Sequence, residues 1–186
     1  MNRPLVIVIV AVAVILAAAA AYIYSRRRRS QLLRERFGPE YDRLVGQEKS
    51  VQRAEGVLQF REKAREKLEI RPLSRAQQAD FANRWNEAQA QFVDEPGQAV
   101  SIADHLVSEV MQARGYPVDN FAHRAEIVSV DHPVVVQNYR VAHEIAIRQG
   151  AGQTNTEDLR QAMVHYRLLF NELLKDSLIE RKEARG

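Results

Sequence analysis

The chain has 186 residues, enough for one domain with an appendage, and no cysteine, which excludes disulfides, thiolate metal sites and a cysteine nucleophile. Its net charge of +3 and pI near 9.3 suggest a nucleic-acid binder only until the charge is divided. Arg3 and Arg26–Arg29 hold five of the 27 basic residues, and residues 1–29 contain no Asp or Glu, so residues 30–186 carry 22 basic against 24 acidic groups and lack the sustained basic patch that nucleic acid requires.

Leu5 to Tyr24 is a run of twenty residues without a charge, LVIVIVAVAVILAAAAAYIY. As a helix it spans about 30 Å, the thickness of a bilayer's hydrocarbon core. A cleavable export signal has a shorter apolar core, and its positive charge comes first. Here Arg3 and the α-amino group precede the run and four arginines follow it. Positive flanks stay cytoplasmic, and Tyr22 and Tyr24 suit the headgroup level. Residues 1–29 are therefore expected to be a single-pass anchor in a bacterial cytoplasmic membrane, with the C-terminal domain in the cytoplasm. The alternative is an exported domain. Arg26, Arg27, Arg28 and Arg29 also suit anionic headgroups.

Beyond the arginines the pattern is helical throughout, and no run alternates long enough for a strand. Gln31–Phe37 continues the first helix, and Gly38-Pro39 breaks it. Residues 30–71 read as a juxtamembrane stalk, with one long charged helix over Glu40–Ile70. Phe37, Leu44, Val51 and Leu58 recur every seven residues, but the positions four later are mostly Glu. That half-apolar seam is weak for a coiled coil, and it leaves weak self-association through residues 40–70 as a possible partner interaction. REKAREK, Arg61–Lys67, has mixed charge around the helix and reads as solvated.

Residues 72–186 are expected to form an antiparallel bundle of about five helices. Ser74 and Gln77 make a capping-box pattern, followed by the stripe Phe81, Trp85, Ala88 and Phe92. Pro96 opens the next helix behind Asp94 or Glu95. Its apolar face is Ala99, Ala103, Leu106, Val107, Val110 and Met111, and Gly115 is its left-handed cap. Asp119–Val128 is a short helix with Phe121 and Ala125 inward. Pro133–Gln149 is a helix using Val135, Tyr139, Ala142 and Ala146. Thr154 with Glu157, or Thr156 alone, caps the last helix. That helix buries Leu159, Met163, Tyr166, Phe170 and Leu173.

No phosphate loop, nucleotide fingerprint, GxSxG, HxxxH or HExxH occurs, so no cofactor, metal or catalytic residue is expected. The densest polar and aromatic patch is Ser129–His143. It offers Asp131, His132, Tyr139 and His143 as weak ligand-binding candidates, with capping and border hydrogen bonds as the plainer explanation. Arg160 and Arg167 share a helix face seven residues apart, away from the apolar stripe. They suit anionic lipid, a partner or plain solvent.

LRERFGPEYDR, RPLS, FVDEPGQAV, RGYPVDNF, SVDHPVVVQNYR and TEDLRQAMVHYRLLFNELL resemble an uncharacterised family of bacterial single-pass membrane proteins with an all-helical domain. The resemblance implies an envelope-associated protein and transfers no functional residue. Together these features lead to an expected membrane-tethered helical module at the inner face, binding a protein partner. The rival expectation is a small helical enzyme or ligand-binding domain built on Asp131, His132, Tyr139 and His143.

Overall fold

The computed structural model describes the backbone of residues 3–183 and the side chains of residues 11–175. Among the described residues every regular element is a helix: α1 (Arg3–Phe37), α2 (Pro39–Glu48), α3 (Val51–Glu66), α4 (Arg75–Gln91), α5 (Pro96–Arg114), α6 (Phe121–Asp131), α7 (Val136–Gly150) and α8 (Thr156–Glu183). Two compact units divide the chain, Met1–Glu55 and Gly56–Gly186.

In the first unit α1 runs without a break until Gly38, at φ 45°, and Pro39 starts α2 at its first turn. Arg43 grips Glu40 with Nε and Nη2 at 2.9 and 2.7 Å. The Tyr41 hydroxyl donates to Glu55 at 3.0 Å. Burial first, and then the Glu55 carboxylate, push that phenol above its usual range. Among the described residues no helix is long and apolar enough to cross a membrane. The expected Leu5–Tyr24 span is thus not among the observed features. Its first six residues, 5–10, lie outside the described side chains, and the fourteen of Ala11–Tyr24 fall short of the roughly 20 a bilayer takes.

The single helix expected over Glu40–Ile70 is two helices. Lys49 turns left-handed at φ 51° and ends α2, and the Ser50 carbonyl accepts the Ala54 N–H at 3.1 Å. Serine favours the N-cap over the helix interior, so QEKS supplies a stop and a new start. The seam positions Phe37, Leu44 and Leu58 are buried in the chain's own fold, and only Val51 of the four is exposed.

The second unit is built on α5. Its face Ala99, Val100, Ala103, Leu106, Val107, Val110 and Met111 is fully buried. It packs against α4, α7 and α8, while α7 packs on α8 and α6 on α7. Cross-helix pairs give the directions. Gly97 abuts Gln149 and Asp104 meets His143, so α5 and α7 are antiparallel. Asp104 meets Tyr166 and Arg114 meets Leu173, so α5 and α8 run the same way.

Local chemistry sets the helix ends. Ser74 and Gln77 form the expected reciprocal box, at 3.2 and 2.9 Å. Gly115 closes α5 at φ 97°, with its N–H on the Gln112 carbonyl and the Tyr116 N–H on that of Met111. A side chain there would sit 2.5 Å from the Glu69 carbonyl oxygen, so glycine also admits the irregular segment before α4. The helix expected over Asp119–Val128 begins at Phe121, is capped by Asn120 and continues to Asp131. Residues Pro133–Val135 form a turn, and α7 begins at Val136. The cap of α8 is Asn155: its Oδ1 accepts the Asp158 N–H at 2.9 Å, and Asp158 accepts the Asn155 N–H at 3.2 Å. Neither Thr154 nor Thr156 plays that part. Thr154 donates instead to Gln149.

REKAREK is not solvated on all sides. Arg61 is 4% exposed and gives Nη2 to Glu126 at 3.1 Å and Nη1 to Ser129 at 3.4 Å. Arg65 donates Nε to Asp131 at 2.5 Å. One face of α3 is turned to the acceptors of α6, which the even scatter of charge in the sequence conceals.

Candidate functional site

The four sequence candidates fall into two separate hydrogen-bonded networks. Asp131 and His132 end α6. One Asp131 oxygen takes both the Arg65 Nε–H and the Tyr116 hydroxyl, the latter at 2.7 Å. Tyr116 is buried at the end of α5, and its oxygen lies 3.4 Å from His132 Nε2. The Arg114 guanidinium stands 5.9 Å from the Tyr116 ring centroid. Burial, then the Asp131 charge, hold the Tyr116 phenol far above its usual range, so it stays a donor. These contacts tie α3, α5 and α6 together, and each partner already has its acceptor or donor inside the cluster.

Tyr139 and His143 lie on α7, one turn apart, and gather around Asp104 of α5. Asp104 Oδ1 accepts the Tyr166 hydroxyl at 2.7 Å and lies 3.4 Å from His143 Nδ1. The His143 ring stacks on Phe121 at 3.7 Å and 10°. Tyr139 is fully buried against Phe121 and Tyr166, with centroids 4.8 and 6.4 Å away. Burial of Asp104 opposes its charge, but the hydrogen bonds from His143 and Tyr166 outweigh that and hold its carboxyl below the usual range. Burial and then Asp104 push the Tyr166 phenol up. Burial lifts Tyr139 to about 12. A groove of about 330 Å³ beside this network is lined by Asp104, Ser108, Glu109 and Arg124. The arrangement sets Asp104 beside His143 at the edge of a polar groove that could hold a polar group.

Asp104, Tyr116, Phe121, Arg65 and Tyr166 complete the two networks and were missing from the sequence candidates. The one signal was the place of Asp104 next to Ala103 on the apolar face of α5, a helix that also carries His105 and Glu109. Among the described residues no three His, Asp or Glu side chains cluster as metal ligands. The flanking residues Tyr22, Tyr24 and Arg26–Arg29 are all exposed on α1. Tyr22, Arg26 and Arg27 share a groove of about 510 Å³ with Gln31 and Gln52.

No family model, curated protein or solved structure matches the chain.

Proposed function

We propose that this chain is a membrane-tethered helical interaction module of bacterial origin, related to the single-pass proteins it resembles. Residues 5–24 anchor it. Arg26–Arg29 hold its C-terminal side at the inner face of the cytoplasmic membrane and meet anionic headgroups, and the bundle presents its surface to a protein partner. The observation that carries the reading is the charge order: twenty uncharged residues with one arginine before them and four consecutive arginines after. Exposure of those arginines on a helix continuous with the run supports it. The division of Asp131/His132 from Tyr139/His143 weighs against one reactive centre, because each network bonds inward. Paired fusions after Arg29 test the topology. A green fluorescent reporter should fluoresce and alkaline phosphatase should stay inactive. High phosphatase activity would place the bundle outside.

A further inference from the structure

The Arg160 and Arg167 face of α8 borders a groove against α4 that neither the anchor nor the two polar networks use. Its floor is apolar, Trp85, Phe92 and Met163, with exposed Val164 at the edge. Trp85 is stacked on buried Phe170 at 4.7 Å and 22°, so the floor is stiff. The Trp85 indole N–H is buried and has no hydrogen-bond partner among the described residues.

The rim is cationic. Arg160 and Arg167 sit two turns apart on α8, with Gln89 opposite on α4. Arg160 gives Nε and Nη2 to Glu157, both at 2.7 Å. Arg167 makes no hydrogen bond or ion pair with the described residues, so its guanidinium is open to an anion. The volume, about 190 Å³, decides the size of the occupant. An apolar cavity of about 150 Å³ takes one benzene, and drug-sized ligands occupy about 300 Å³ or more. The groove is thus too small for a folded segment and large enough for a single ring with a short acid chain.

We propose that this groove is a binding site for a small apolar carboxylate, with the tail on Trp85, Phe92 and Met163 and the carboxylate on Arg167 beside Arg160. Trp85 is the chain's single tryptophan, so its fluorescence reports the site directly. The probe is 3-phenylpropionate, titrated into the full chain in phosphatidylcholine vesicles, with 3-phenylpropanamide as the neutral isostere. The acid should change Trp85 emission saturably, and the amide should bind about tenfold more weakly. Arg167→Gln should weaken the acid to the level of the amide while helical circular dichroism is unchanged. Val164→Glu, at an exposed rim position, should abolish binding of the acid by like-charge repulsion. A linear, unsaturable response, equal affinity for acid and amide, or full affinity in both variants would overturn the proposal.

Discussion

Arg61→Ala separates the burial found here from the solvated helix that the charge pattern suggests. Arg61 is 4% exposed and spends its guanidinium on Glu126 and Ser129. Cutting one partner of a buried pair costs roughly 3–5 kcal/mol when the other charge stays buried. The Glu126 side chain is 44% exposed, so it regains water and the cost is reduced. The 3.4 Å contact to Ser129 is long and adds little. Loss of the buried stem adds a packing term. Together these give about 2–3 kcal/mol, or a fall in Tm of roughly 4–12 °C for a chain of this size. Arg61→Met keeps the stem and removes both the charge and its desolvation, so it should cost under about 1 kcal/mol. Urea denaturation followed by circular dichroism reads both, with the slope unchanged if only stability moves. A loss under about 0.5 kcal/mol for Arg61→Ala, within the range of ordinary surface changes, would show that α3 does not bury this residue.

Four further outcomes follow from the geometry. Asn155→Ala should cost about 1 kcal/mol through the lost α8 cap, and Thr156→Ala clearly less; the reverse order in chemical denaturation would restore threonine as the cap. Tyr166→Phe should destabilise by roughly 1–2 kcal/mol, since it removes a hydrogen bond to a carboxylate. Asp104, whose carboxyl is held low in the fold, stabilises above the unfolded value near 3.9 and loses that contribution as pH falls through its folded value. Asp104→Asn should therefore flatten the acid limb of the stability curve, and an unchanged limb would count against the network. Burial lowers the His165 pKa. Between its folded value and 6.5 the unfolded chain binds more protons, so stability falls as pH drops through that window. A proton NMR midpoint for His165 at or above 6.5 would contradict this.

The features legible in the sequence share one property: a local chemical rule fixes them. Gly38-Pro39, the Ser74 and Gln77 box, Pro96 and Gly115 each act within a turn of their own position, and each is found where the spacing puts it. The stripe of α4 and the faces of α5 and α8 follow from periodicity alone. The errors arise where distant residues decide. Arg61 and Arg65 look solvated because their acceptors, Glu126, Ser129 and Asp131, lie more than sixty positions away. Local competition misleads too: Thr154, Asn155 and Thr156 can all cap, and Thr154 is drawn off by Gln149.

The polar patch shows the same limit. Asp131, His132, Tyr139 and His143 are close in sequence, but the Pro133–Val135 turn separates the first two from the last two. Each pair then answers to a residue that no spacing rule connects to it. Tyr116 bonds Asp131, and Asp104 bonds Tyr166 and lies beside His143. A compact string of chemistry-bearing residues became two structural joints of the bundle, and the apolar groove under Arg160 and Arg167 drew its floor from α4 as well as α8.

Protease protection is the most direct test of the tethered, inward-facing module. The full chain, tagged after Gly186 and expressed in a bacterial host, is exposed to protease in intact spheroplasts and in inverted membrane vesicles. The account predicts that the tagged bundle survives in spheroplasts, is digested in inverted vesicles, and stays in the membrane pellet after alkaline carbonate. Digestion in intact spheroplasts, or release by carbonate, would contradict it.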